Sequence, residues 1–189
     1  MDVNYGYALG LEEAKDGILL RIYIAGHSGL VGSALVRGIE NQTKHTWIGA
    51  ERAQLNLLDR QKVMNFIARE RPDAMIVAAA RVGGILENLR NPVSFLSENL
   101  QIQTNLLDAA AACGIERVIF LGSSCIYPRM SQQPISEQSL MTGPLEKSNE
   151  AYAIAKIAGV KLTSSYRNQF GLMWTSAMPT NVYGPGDNF

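Results

Sequence analysis

Cysteine and histidine are scarce in this chain, with two of each among 189 residues. Cys113 and Cys125 are too few for a disulfide framework, and no Cys/His ligand cluster accompanies them, so no metal site is expected. The simplest compartment is a reducing cytoplasm. Net charge is missing too: 17 basic residues balance 17 acidic ones. No overall field therefore favours nucleic acid or an anionic membrane. The longest apolar run, Ala74 to Ala80, is too short to cross a bilayer. The first residues carry Glu12, Glu13 and Asp16, with no basic start leading into an apolar stretch, and do not read as a signal peptide. Residues 1–20 read as an extension preceding a fold over 21–189.

What is present is ordinary globular material, 47% hydrophobic and 18% charged, enough for one domain with a sizeable core. From Arg21 onward, strand-like and helix-like segments alternate. Ile22–Ala25 is a short apolar run ending in glycine, which suits a buried parallel strand. Leu30 to Glu40 follows with helical spacing through Leu30, Ala34, Leu35 and Ile39. Thr46–Ile48 reads as a second strand, and Asp59 as the cap of a helix burying Val63, Phe66 and Ile67. Pro72-Asp73 breaks the chain before a third strand, Ala74–Ala78. Asn91-Pro92 opens a long helix closed by Gly114. Val118–Leu121, Tyr152–Phe170 and Trp174–Met178 read as strand, helix and strand. This order predicts an α/β fold, a doubly wound, Rossmann-like parallel sheet with helices on both faces. Ligands of such a sheet gather at the carboxyl ends of its strands.

Gly26, Gly29 and Gly32 stand at the first strand-to-helix junction, spaced G-x-x-G-x-x-G. A dinucleotide pyrophosphate needs close backbone N–H groups and the positive end of a helix, and glycine permits both. A glycine turn that only allows tight packing is the plainer alternative. Cofactor type is read at the end of the second strand, where a carboxylate suits the ribose 2′-hydroxyl of NAD. Here Glu51 and Arg52 stand side by side. Arg52 suits a 2′-phosphate in a charge-assisted fork, while an exposed Glu–Arg pair is the plainer reading. The balance favours NADP.

Tyr152 and Lys156 are four apart and share one helix face. A neighbouring ammonium is expected to lower the phenol's pKa. Alone, Tyr-x-x-x-Lys is weak evidence, but Ser123 at the end of the fourth strand adds a hydroxyl that can face the same site. Cys125, two residues on, is either a small buried hydrophobe or a thiol acid/base. Cys113 and His45 read as packing and surface, and His27 as structural or next to the cofactor.

Several longer runs now carry a resemblance. They are Ile24-Ala-Gly-His27, Leu55-Asn-Leu-Leu-Asp59, Ala78-Ala-Ala-Arg-Val-Gly-Gly-Ile85, Leu121-Gly-Ser-Ser-Cys-Ile-Tyr-Pro128, Tyr152-Ala-Ile-Ala-Lys-Ile-Ala-Gly159 and Met178-Pro-Thr-Asn-Val-Tyr-Gly-Pro185. Together they make the chain from Arg21 to Phe189 resemble the extended short-chain dehydrogenase/reductases. Within that family the likeness is to enzymes that epimerise C3 and C5 of GDP-4-keto-6-deoxy-D-mannose and then reduce its C4 ketone with NADPH.

The resemblance implies that Tyr152 protonates the C4 oxygen, Lys156 holds the nicotinamide ribose and tunes Tyr152, and Ser123 binds the keto oxygen. Cys125 would remove the C3 and C5 protons. Gly26, His27, Ser28, Gly29, Leu30, Val31 and Gly32 would surround the pyrophosphate, with Arg52, Asn56, Leu57 and Asp59 on the adenine side. Leu121, Gly122, Ser123, Ser124 and Lys156 would run along the cofactor, with Pro179, Thr180, Asn181 and Val182 near the nicotinamide. Val82, Gly83, Ser124 and Asn181 would meet the GDP-sugar. The two long helices would pair in a homodimer.

Two departures stand out. Ser28 occupies a position where related sequences often carry arginine, which throws the phosphate grip onto Arg52. Related proteins also continue into a substrate domain, with a histidine acid and basic groups for the GDP diphosphate. The chain therefore reads as the first part of a longer protein. A cofactor-binding module without turnover, and another nucleotide-sugar epimerase or dehydratase, remain as alternatives. The dehydratase suffers because Ser123-Ser124-Cys125 replaces the usual Thr-Asp-Glu.

Overall fold

The computed structural model describes residues 18–187. Most of the expected N-terminal extension, residues 1–17, lies outside the described residues. Five parallel strands form one sheet: β1 (Arg21–Ala25), β2 (Thr46–Ile48), β3 (Ala74–Val77), β4 (Arg117–Leu121) and β5 (Met173–Ala177), ordered β2-β1-β3-β4-β5. The helices between them are α1 (Leu30–Gln42), α2 (Arg60–Glu70), α3 (Ile85–Arg90), α4 (Pro92–Ala112) and α5 (Glu150–Phe170). The α/β fold with a parallel sheet flanked by helices is as the alternation predicts. Right-handed crossovers put α1 on one face and α2, α4 and α5 on the other. Consistent with this, α2 packs on α4, and α4 on α5.

The local signals act as expected at several ends. The Asp59 carboxylate accepts a hydrogen bond from the Lys62 backbone N–H at 3.0 Å. Pro92 opens α4, and Gly114, with a φ of 74°, follows its end; α5 stops at Gly171, a left-handed cap with a φ of 70° that the sequence reasoning did not assign. The stripe expected on α1 is rotated in the structure. Ala34 is exposed, while Gly32 and Ile39 are buried, because the helix presses its glycine against the turn that precedes it. Helix α3 had no counterpart in the sequence reading; its Ile85, Leu86 and Leu89 are all exposed, so no apolar stripe announced it.

The core gathers Tyr23, Met75, Val77, Val118 and Phe120 from the sheet with Phe66, Ile67, Leu106 and Leu107 from α2 and α4. Burying each large side chain contributes about 1.5–3 kcal/mol. Trp174 closes one end, its indole N–H donating to the Ile115 carbonyl at 2.9 Å. Since all strands run one way, Ala25, Ile48, Val77, Leu121 and Ala177 end on the same edge. The order reverses between β1 and β3, the switch point at which sheets of this kind take their ligands.

Candidate active site at the carboxyl edge of the sheet

The glycine turn lies at the switch point. Gly26 has a φ of +87°, and a Cβ there would sit 2.7 Å from the Ala79 backbone nitrogen. A Cβ at Gly32 would overlap the Gly26 carbonyl oxygen. Packing alone already demands glycine at these two positions, which leaves their backbone free to meet a ligand as well. Gly29 differs. It is exposed, a Cβ would meet nothing closer than 3.5 Å, and it caps α1 with no side chain. The first-turn N–H groups of Leu30, Val31 and Gly32 have no intrahelical acceptors, and no acidic residue stands in that turn. Ser28 is exposed beside them. A backbone cradle at a helix N-terminus fits a pyrophosphate.

On the β2 side, Arg52 is exposed and makes no ion pair among the described residues. The expected surface pair with Glu51 does not form. Glu51 contacts His27 Nε2 instead, at 3.1 Å. Asn56 is exposed and folds its side-chain oxygen onto the Leu58 N–H, 3.1 Å away. The Leu57 carbonyl is held by the buried Asn105 amide at 2.9 Å. The Asp59 carboxylate is taken by the α2 cap and lies 3.5 Å from Lys62 Nζ. His45 is partly buried rather than free on the surface, its Nδ1 accepting from the Leu20 N–H at 3.2 Å.

The second half of the site follows β4. Ser123 leads into a single 3-10 turn, Ser124–Ile126, and its Oγ accepts from the Cys125 N–H at 3.4 Å. The loop after β5 is tied alongside: the Ser124 N–H donates to the Pro179 carbonyl at 3.2 Å, and the Gly122 N–H to Ala177 at 2.8 Å. Thr180, Asn181 and Val182 follow, exposed. Lys156 is only 3% exposed. Its ammonium donates to the Leu121 carbonyl at 2.8 Å and lies 4.9 Å above the Phe120 ring and 5.8 Å from the Tyr152 ring centre.

These placements set the proton affinities. Burial pulls the Lys156 amine down to about 8, partly opposed by Cys125. Burial pushes the Cys125 thiol up, and the Ser123 hydroxyl and the Lys156 charge hold it back. Tyr152 is driven well above its ordinary value by burial, with Cys125 adding to the rise. The expectation that Lys156 lowers the Tyr152 pKa is overturned here. The ammonium donates to the Leu121 carbonyl and makes no hydrogen bond to the phenol among the described residues, so desolvation wins. Ser123 and Cys125 are hydrogen-bonded, Lys156 lies beside the Tyr152 ring, and Cys125 influences both Tyr152 and Lys156, so the four gather in one place.

Val82 and Gly83 are exposed on the loop after β3. Asn99 of α4, 2% exposed, clamps that loop at its start. Its side chain accepts from the Arg81 N–H at 2.7 Å and donates to the Arg81 carbonyl at 3.0 Å. Sequence reasoning missed Asn99, Gln103 and Asn105. A signal existed: Asn99 and Gln103 continue the helical stripe of Phe95, Leu106 and Ala110, where buried amides require partners. A concavity of about 650 Å³ borders this loop at Gly84, Ile85 and Arg90. Another, of about 580 Å³, lies at the opposite strand ends near Leu20, Pro72 and Gly114. Neither is where the titratable cluster gathers, so the site is defined by convergence rather than volume.

The chain is 50% identical over 169 residues to a GDP-L-fucose synthase of Sinorhizobium fredii, a match covering 89% of this chain and 54% of that protein. It is 48% identical to the GDP-L-fucose synthase of Escherichia coli, covering 89% and 53%. It thus spans about half the length of the curated relatives it matches. Among solved structures, a GDP-mannoheptose C4 reductase from Campylobacter jejuni with NADP bound superposes with a TM-score of 0.86 at 31% identity, covering 90% of this chain and 54% of that one. A GDP-L-fucose synthetase from Naegleria fowleri bound to NADP gives 0.81 at 32% identity, covering 91% and 58%. The family profile described as NAD dependent epimerase/dehydratase matches residues 22–189, and the chain belongs to that family.

Proposed function

We propose that this chain carries the cofactor-binding and catalytic half of an NADPH-dependent GDP-sugar epimerase/reductase. Its substrate is GDP-4-keto-6-deoxy-D-mannose and its product GDP-L-fucose. The observation that carries this reading is the Ser123, Cys125, Tyr152 and Lys156 cluster on the strand edge that also holds the glycine cradle. The identities with GDP-L-fucose synthases support it, as does NADP in the superposed structures.

NADPH, when bound, supplies the hydride. Gly29 and the first turn of α1 would hold its pyrophosphate, with His27, Ser28, Leu30 and Val31 around it. Arg52 would take the 2′-phosphate, with Asn56, Leu57 and Asp59 framing the adenine side. Leu121, Gly122 and the Pro179–Val182 loop would flank the nicotinamide. Tyr152, whose pKa burial raises further above its ordinary 10.0, is protonated over the neutral range, which suits a proton donor to the C4 oxygen. The Ser123 hydroxyl would hydrogen-bond that oxygen. Lys156 would turn from Leu121 to the ribose hydroxyls. Cys125 would remove the C3 and C5 protons, acidified by the neighbouring ketone, with Ser123 and Lys156 lowering the cost of its thiolate. Val82, Gly83, Ser124 and Asn181 would meet the sugar.

Further parts of the reading concern the surroundings. The outer face of α4 and α5, with Val93 76% and Ile154 44% exposed, would pair in a homodimer, which sedimentation tests. Two free thiols fit the cytoplasm. No helix of the described residues is long and apolar enough to cross a membrane, and the balanced net charge supplies no overall field for nucleic acid.

The decisive experiment mixes the chain with NADPH and the keto-sugar nucleotide and follows cofactor oxidation and product. Turnover supports the reading. Tight NADPH binding without oxidation, if it persists in the full-length protein, favours a binding module, and failure to bind NADPH overturns the proposal.

A further inference from the structure

Resting on the NADPH reading above, we propose that His27 is a positioning residue for cofactor choice. It holds the Glu51 carboxylate away from the ribose, so that Arg52 alone meets the 2′ position. Glu51 lies three residues past the end of β2, where a carboxylate normally accepts from the 2′-hydroxyl of NAD. Left free, it would also repel a 2′-phosphate. The chain thus carries two opposed signals at one place, and the structure separates them.

The separation is built from fixed parts. The His27 side chain is 14% exposed and the Glu51 side chain 59%, so a packed ring grips a carboxylate that solvent would otherwise leave loose. The ring tilts against Trp47, with centroids 5.6 Å apart. It lies over Gly49, where a Cβ would come within 2.5 Å of Cγ and Nδ1. Gly49 is therefore glycine because the ring occupies that space. The Glu51 backbone is pinned as well. Its N–H donates to the Gln54 side chain at 3.0 Å, and its carbonyl accepts from the Gln54 and Leu55 N–H groups at 2.8 and 2.9 Å. Only the side-chain torsions remain to choose a partner, and His27 Nε2 at 3.1 Å takes it. Arg52 is left without an ion-pair partner among the described residues and exposed to a ligand.

The test measures NADPH and NADH dissociation constants by fluorescence titration for the chain and three variants: His27→Ala, Glu51→Gln and the double variant. The chain itself should prefer NADPH. His27→Ala should cut the NADPH-over-NADH ratio about tenfold by freeing a like charge beside the 2′-phosphate. Adding Glu51→Gln should restore the ratio to within about twofold, a rescue that lost packing alone would not give. Glu51→Gln alone should move the ratio by less than about twofold, because the held carboxylate is already silent. This variant keeps the shape of the pair and reports even if His27→Ala does not fold. A ratio unmoved in folded His27→Ala, an unrescued double variant, or a large shift in Glu51→Gln would each overturn the proposal. A chain that binds both cofactors without preferring NADPH overturns it too, while sparing the catalytic cluster; binding neither overturns the whole functional reading.

Discussion

The glycine turn after β1 and the cluster after β4 stand on one edge of one sheet, yet they are made by opposite means. The turn works by leaving side chains out: Gly26 and Gly32 have backbone where a Cβ would go, and Gly29 keeps the helix end bare. The cluster works by burying groups that carry protons, with Lys156 3% exposed and its amine held on the Leu121 carbonyl. Geometry is the product of the first region and proton affinity the product of the second. A substitution in the turn should therefore act through shape and be insensitive to pH. One in the cluster should act through chemistry and leave the shape alone.

The sharpest test of that division is Tyr152→Phe. It removes one hydroxyl from the cluster, and should lower ketone reduction by about 10²–10⁴-fold while NADPH still binds. Substantial reduction in this variant would remove Tyr152 from the proton-donor role. Cys125→Ser is its counterpart: under the proposed function it is expected, in the full-length protein, to suppress solvent deuterium incorporation at C3 and C5 while sparing cofactor affinity.

Gly32→Ala should do the reverse. Its Cβ meets the Gly26 carbonyl, a backbone atom that cannot step aside. A loss of about 3 kcal/mol in denaturant unfolding is expected, with NADPH affinity falling alongside. Equal stability of the variant would mean that the turn is looser than its contacts indicate.

Lys156 makes the pH difference measurable. The folded chain releases this proton near pH 8, against an ordinary value of 10.5. The unfolded state therefore binds more protons across that window, and stability should rise with pH through it, by about 3 kcal/mol in full. Cys125, raised from 9.0 by burial, opposes this rise once the pH passes 9.0, and Tyr23 and Tyr152, also raised by burial, do so once it passes 10.0. Unfolding free energies between pH 8 and pH 10 should show the rise, and Lys156→Met should flatten it. A profile identical in the variant would sever Lys156 from the slope.

Gly38→Ala supplies the smallest effect and the control. Nothing lies within 4 Å of a Cβ there, so the helix should gain roughly 0.5–1 kcal/mol. A loss would show that glycines in this segment are constrained beyond the turn itself.

The same division governs how legible the molecule was. Strands β1 to β5 and helices α1, α2, α4 and α5 were readable because each carries a local cause, an apolar run, a capping Asp59 or a terminal Gly114. Helix α3 was not, since its apolar residues face outward. The rotated face of α1 was not either, because it depends on how Gly32 meets Gly26. Among site residues, the glycines, Tyr152 and Lys156 could be picked out by spacing. The direction of the Tyr152 shift could not, since it depends on where the Lys156 ammonium points. The pairing of Glu51 with His27 rather than Arg52 was likewise invisible, because it joins residues 24 apart.

The sequence by itself settled the order of strands and helices, the parallel sheet and the edge on which chemistry-bearing residues gather. These follow from periodicity, caps and handedness, which act over a few residues at a time. Tertiary structure decided which partner each charge takes and how far each proton affinity moves. Burial and Coulomb interactions depend on distance in space, and β4, α4 and α5 bring that distance about only once they pack.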